Sequence, residues 1–218
     1  MTAIKRLAGE ALGTALLLAV VVGSGIMGER LSGGNAAIAL LANSIATGAG
    51  LVALILVFGP VSGAHFNPLV TLCDAVLGNR PWKDVPAYLV AQFAGAIVGV
   101  AMAHAMFDLP LFSASLHART GAAQWWSEIV ATSGLVLVVF ACVRSKTNFT
   151  PFAVGLYITA AYWFTASTSF ANPAVTLARS LTDTFAGIRP DDVAGFIVAQ
   201  LIGAFAGVAV VRWMIPVK

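Results

Sequence analysis

Charge is what this chain of 218 residues has least of: Asp, Glu, Lys and Arg together make up 10% of it, against 59% hydrophobic residues. With a mean hydropathy of +0.91, that excludes a water-soluble domain and leaves an integral membrane protein. Cysteine is nearly missing too. Cys73 and Cys142 lie in or beside apolar segments without metal-type spacing, which excludes a disulfide framework and marks both as packing residues. No pattern for a metal or other cofactor stands out, and the net charge of +3 follows from membrane topology and gives no reason to invoke nucleic acid.

What is there is apolar sequence in spans. Six stretches can each cross a hydrocarbon core of roughly 30 Å as a helix: Ile4 to Met27, Ala36 to Phe58, Val85 to Phe107, Gln124 to Val143, Phe152 to Phe170 and Val193 to Ile215. The first is read as a retained helix. Lys5, Arg6, Arg80, Lys83, Arg144, Lys146, Arg212 and Lys218 fall on one side of these spans, against Arg30, Arg119 and Arg189 on the other. That asymmetry predicts both termini in the cytoplasm.

The chain also repeats itself. Val90-Ala91-Gln92, Gly95-Ala96 and Gly99-Val100 recur with the same spacing as Val198-Ala199-Gln200, Gly203-Ala204 and Gly207-Val208. Asn67-Pro68-Leu69-Val70-Thr71-Leu72 recurs as Asn172-Pro173-Ala174-Val175-Thr176-Leu177, and Glu10 finds a counterpart in Glu128. The whole chain, 1–218, reads as one membrane domain of two repeats, about 1–107 and 124–218. Each holds three spans, an odd number, so the second copy is inverted, which places a functional site at the repeat interface near the midplane.

Asn at the N-cap followed by Pro is a helix start. The segments Asn67 to Leu77 and Asn172 to Thr182 are expected to be half-helices of roughly 16 Å, meeting with their N-termini at the midplane. Gly59 to Phe66 and Thr165 to Ala171 are expected to be non-helical, which is tolerated at membrane depth only where protein or water lines the backbone. Asn67 and Asn172 would offer amide donors there. Carbonyls of Gly63, Ala64, His65 and Phe66, and of Thr168, Ser169 and Phe170, would supply acceptors along an apolar channel. Such a channel replaces the hydration of a neutral solute but not that of an ion.

With paired Asn-Pro motifs in an inverted repeat, and Ser62-Gly63-Ala64-His65-Phe66 ahead of the first, the chain resembles the aquaporins and glycerol facilitators, the major intrinsic proteins, over essentially its whole length. The resemblance implies an all-α membrane protein: a bundle of six transmembrane helices with two re-entrant half-helices, one pore per subunit and a homotetramer. It implies a midplane of Asn67, Pro68, Leu69, Asn172, Pro173 and Ala174, with Glu10 and Glu128 bracing the re-entrant loops. Leu69 replaces the alanine usual in the first motif and is expected to make the midplane bulkier. The family's filter usually has arginine directly after the second motif, where this chain has Val175. Counting by the family's intervals puts Thr47 and Ala160, or Ala161 if the loop length differs, in the filter, with Ser169 lending a carbonyl.

A filter of Thr47, Ala160, Ser169 and Val175 would be wide and uncharged, which favours neutral solutes larger than water, such as glycerol, urea or metalloid hydroxides. The valine resembles that of a bacterial subgroup associated with arsenic resistance, which implies arsenite as a substrate and the bacterial inner membrane as location, with the lipid bilayer, neutral solutes and water as partners. The alternatives are a water-selective channel or, less favoured, an ion-coupled transporter, which would need midplane carboxylates where this chain offers Asn. An intramembrane hydrolase would need an activated nucleophile, and nothing orders Ser62 and His65 as a pair, so the chain reads as no enzyme. Arg179, four residues after Val175 on a nearby helical face, has a displaced filter arginine as one reading, but it is expected to turn away from the midplane towards pairing or the outer vestibule. Asp74 is its equivalent in repeat one.

Overall fold

The computed structural model describes residues 1–214; Ile215, with which the sixth expected span ends, and Lys218, counted for orientation, lie outside the described residues. Eight α-helices follow one another there: α1 (Ala3–Leu31), α2 (Ala36–Ser62), α3 (Pro68–Val76), α4 (Val85–Met106), α5 (Ala122–Ser145), α6 (Thr150–Phe164), α7 (Pro173–Arg179) and α8 (Val193–Met214). Five of them (α1, α2, α4, α5 and α8) are long and apolar enough to cross a membrane. The remaining long element, α6, has 15 residues and reaches only about 22 Å. Its expected span, Phe152 to Phe170, is therefore corrected: the helix stops at Phe164, Thr165 is extended, and the chain turns into the second re-entrant loop.

Local chemistry sets the helix ends. The Thr2 and Asn35 side chains accept from the first-turn amides of α1 and α2, the usual N-cap arrangement. At the other end of α2, Gly63 takes φ 95°, a left-handed conformation that only glycine adopts without penalty. Because α2 is helical to Ser62, the non-helical approach begins at Gly63 and not at Gly59. The half-helices are also shorter than expected, at 9 and 7 residues, or about 14 and 10 Å.

Small residues decide how closely the helices pack. α1 lies along α4, and α5 along α8. A Cβ on Gly95 would stand 2.2 Å from the Ala11 carbonyl oxygen, and one on Gly99 would stand 2.3 Å from that of Ala15. In the second half, Cβ atoms on Gly203 and Gly207 would meet the Ile129 and Ser133 oxygens at 2.5 and 2.8 Å. The recurring glycines therefore act in helix contact, as small-xxx-small spacing allows, and bring α4 and α8 against the two helices that carry Glu10 and Glu128. Gly48 and Gly155 bring α2 and α6 together in the same way.

Gly95→Val is expected to cost about 3 kcal/mol or more, because a backbone oxygen cannot yield as a side chain can. Gly59→Ala, where added bulk meets open space, should be neutral or gain up to about 1 kcal/mol. Thermal unfolding of the two variants in detergent, beside the parent chain, measures the difference.

Candidate functional site

The two re-entrant loops carry unusual backbone. Ala64 and Phe66 have φ of 50° and 48°, and their counterparts Ser169 and Ala171 have 52° and 49°; Thr168 adds a fifth at 61°. Non-glycine residues rarely take such values, and each costs of order 1–3 kcal/mol unless the surroundings hold it. Here a buried carboxylate holds each loop. Glu10 Oε1 accepts from the Ser62 hydroxyl at 2.7 Å and the His65 amide at 3.0 Å, while Oε2 accepts from the Phe66 amide at 2.8 Å and from Gln92 Nε2 at 2.8 Å. Glu128 does the same in the other half: Oε1 takes Ser167 Oγ at 2.5 Å and the Phe170 amide at 2.9 Å, and Oε2 takes the Ala171 amide at 2.9 Å and Gln200 Nε2 at 2.7 Å. Both carboxylates are fully buried. Gln92 and Gln200 each donate again, to Thr71 and Thr176, whose hydroxyls donate to the carbonyls of Asn67 and Asn172.

The two asparagines cap the half-helices and cross between the loops. Asn67 Oδ1 accepts from the Leu69 amide at 2.9 Å, and its Nδ2 donates to the Ala171 carbonyl at 2.8 Å. Asn172 Oδ1 accepts from the amides of Ala174 and Val175 at 3.0 and 3.3 Å, and its Nδ2 donates to the Phe66 carbonyl at 2.8 Å. Each Nδ2 carries two hydrogens. One of them is engaged by the opposite loop, and the other remains for the cavity that both residues line.

That cavity runs between the two halves. Gly63, Ala64, His65, Phe66, Ser169 and Phe170 line it, together with Asn67, Asn172, Thr47 and Val175. Other expected residues stand elsewhere. Pro68, Leu69, Pro173 and Ala174 are buried but are not part of the wall. Leu69 packs with Val70, Cys73, Val136 and Phe140 and so does not thicken the midplane. The helical turn explains the correction: residues three after each asparagine, Val70 and Val175, share its face, and the intervening two do not. Thr168 is also off the wall, its hydroxyl accepting from Arg119 Nη1 at 3.4 Å.

Ala160 is corrected as well. It is exposed on the outer surface of α6, and Ala161 is buried in packing. Val154, Ile158 and Tyr162 face the cavity, a stripe spaced by four residues. Ala160 lies about 200° around the helix from Tyr162. The Tyr162 hydroxyl lies 3.3 Å from Thr47 Oγ1.

Charged groups sit at both ends of the cavity. On the side of the termini, Asp74 takes Arg80 Nε at 3.2 Å and lies 3.4 Å from His65 Nε2. His65 Nδ1 is 3.0 Å from Thr71 Oγ1 and Ser62 is engaged by Glu10, so no Ser-His pair forms. On the opposite side, Arg179 lines the cavity. Arg119, from the long loop before α5, reaches the carbonyls of Gly187 and Ser167 at 2.8 and 3.3 Å. Burial lowers its pKa, while the fields of Tyr162 and Glu128 oppose that shift.

Glu128→Gln leaves backbone donors facing an amide nitrogen, and the expected loss is about 3 kcal/mol. Glu10→Gln should match it within about 1 kcal/mol, since the two networks are congruent. Thermal unfolding of the purified variants tests both values.

The comparisons with known proteins agree with this geometry. The sequence model of the family described as major intrinsic protein matches residues 1–169 and 149–218. Aquaglyceroporin AqpS of Rhizobium meliloti (strain 1021) is 57% identical over 211 residues, spanning 97% of this chain and 90% of that protein. Probable aquaporin NIP7-1 of Arabidopsis thaliana is 31% identical over 93% of this chain and 74% of its own length. Among solved structures, the X-ray structure of the aquaglyceroporin from Plasmodium falciparum superposes with a TM-score of 0.77 at 22% identity, covering 99% of this chain and 98% of that one, a likeness of fold. By its sequence and by the fold that sequence builds, the chain belongs to the major intrinsic proteins, a family of channels and not of enzymes.

Proposed function

We propose that residues 1–218 form one channel unit of two inverted repeats, 1–107 and 124–218, which passes small neutral solutes of glycerol or urea size passively across the membrane, with metalloid hydroxides such as arsenite and some water among them. The single observation that carries this reading is the wall beside the crossed asparagines. Val175 lines the cavity with a short apolar side chain, and so does a hydroxyl pair, Thr47 and Tyr162, that can donate to and accept from a passing polyol. A guanidinium at Val175 would narrow the passage and fix several donors in it. The close relative is itself named an aquaglyceroporin, which supports the same solute class.

Ions are excluded on energetic grounds. Two amide donors and a file of loop carbonyls replace the few hydrogen bonds that a neutral polyol leaves behind, whereas an ion regains far less than its hydration. In this reading Asn67, Asn172, Thr47, Ser169 and Val175 contact solute, and Glu10 and Glu128 act from behind. The unit works as a homotetramer in the bacterial inner membrane with both termini cytoplasmic. The Lys and Arg asymmetry supports that orientation.

Proteoliposome fluxes for water, glycerol, urea and arsenite test the proposal, compared between the parent chain and Val175→Arg. Glycerol and arsenite fluxes are expected to fall at least tenfold in the variant, with water reduced less. Large-solute flux unchanged by the arginine would remove Val175 from the filter, and parent vesicles that pass water faster than every larger solute would make the channel water-selective.

A further inference from the structure

We propose that Arg179 is the specificity-determining cation of this channel: it takes over, one helical turn further from the midplane, the place left without a guanidinium at Val175, where it holds solute oxygens and turns cations away. The inference rests on the neutral-solute reading above and adds to it the residue that sets the charge selectivity.

Val175 and Arg179 are four residues apart on α7 and so share a face, and both line the cavity. Arg179 is 2% exposed. Its guanidinium carbon stands 3.4 Å from the centroid of the Phe170 ring, a cation–π stack. Phe170 is itself fixed, edge-to-face with Phe196 at 5.1 Å and packed against Ile188. Arg179 Nε donates to the Ala186 carbonyl. The terminal nitrogens meet no protein acceptor among the described residues, nor does any carboxylate there lie within 4 Å of the group. One of five donors is thus engaged, and four are free for a ligand.

The counterpart in the first repeat shows what a structural charge looks like at this place. Asp74, seven residues after Asn67 as Arg179 is after Asn172, also lines the cavity. Its carboxylate is matched by Arg80 at 3.2 Å, lies 3.4 Å from His65 Nε2 and accepts from Asn79 at 3.1 Å. One mouth is therefore neutralised, while the other keeps its charge. Arg119 reinforces that charge, with its guanidinium carbon 5.1 Å from the same Phe170 ring and its nitrogens on backbone carbonyls. A buried guanidinium without a counter-ion is costly to maintain, and its planar fork suits oxygen atoms. Hydroxyls of a neutral solute satisfy it in passing. An approaching cation meets two guanidinium groups, and no carboxylate lines the cavity at that end.

The test measures potassium efflux and glycerol uptake in the same proteoliposome preparations. In Arg179→Gln the ratio of potassium to glycerol flux is expected to rise about tenfold, and in Arg179→Lys to stay at the parent value. If the glutamine chain does not reconstitute, Arg179→Met, which keeps the aliphatic length across Phe170, carries the same expectations. A rise below threefold, including one in which both fluxes fall together as loss of a merely structural tie would make them, overturns the proposal. Glycerol uptake by the parent chain reports separately on the channel reading, so the two fail independently.

Discussion

Two buried carboxylates carry the constraint on which everything else depends. Backbone that leaves a helix at membrane depth must find partners inside the protein, and Glu10 and Glu128 supply them, each accepting from two loop amides, a serine hydroxyl and a glutamine. By drawing the amides to one side, they leave the carbonyls of the same residues facing the other. The left-handed turns at Ala64, Phe66, Ser169 and Ala171 are the backbone form of that division. A chain without the carboxylates would have no reason to expose a row of acceptors to the cavity, and the polar stripe of an otherwise apolar passage would be gone.

Close helix contact is the second part of the same arrangement. Gln92 and Gln200 reach Glu10 and Glu128 because Gly95 and Gly203 let α4 and α8 approach the carbonyls of α1 and α5. The glycines are three residues along from the glutamines, on the same helical face. Packing and polar satisfaction are thus one device, and this explains why the two motifs recur together in both halves.

Much of this was legible in the sequence, because it is written in local pattern. The Asn-Pro pairs, the glycine spacing and the recurrence of Glu10 as Glu128 each specify one short-range geometry, and the family's match along the chain agrees with the fold they imply. What sequence missed depended on helix phase or on distant contact. Counting back from Asn172 reached Ala160, but α6 ends at Phe164 and its inner stripe is Val154, Ile158 and Tyr162, a spacing of four that could have been read instead. Leu69 was assigned to the midplane from its motif, although the half-helix turns it into packing. Arg119 carries no local signal for its contacts. It reaches Ser167 and Gly187 across contacts of about 50 to 70 residues in sequence, which no local pattern encodes. The stack of Arg179 on Phe170 joins α7 to the re-entrant loop before it, a contact that the direction of α7 does not reveal.

The crossed hydrogen bonds between the asparagines and the opposite loops reach beyond solute passage. Asn67 needs the Ala171 carbonyl and Asn172 needs that of Phe66, so neither half of the chain can finish its own loop. As the protein is synthesised, the first half must wait in the bilayer with its amide unanswered until α5 to α8 have entered from the other direction. Completion of the passage is then a late and mutual event, with each half serving as the other's template. A half-length version of this sequence could build the passage only as an antiparallel pair with a second copy of itself.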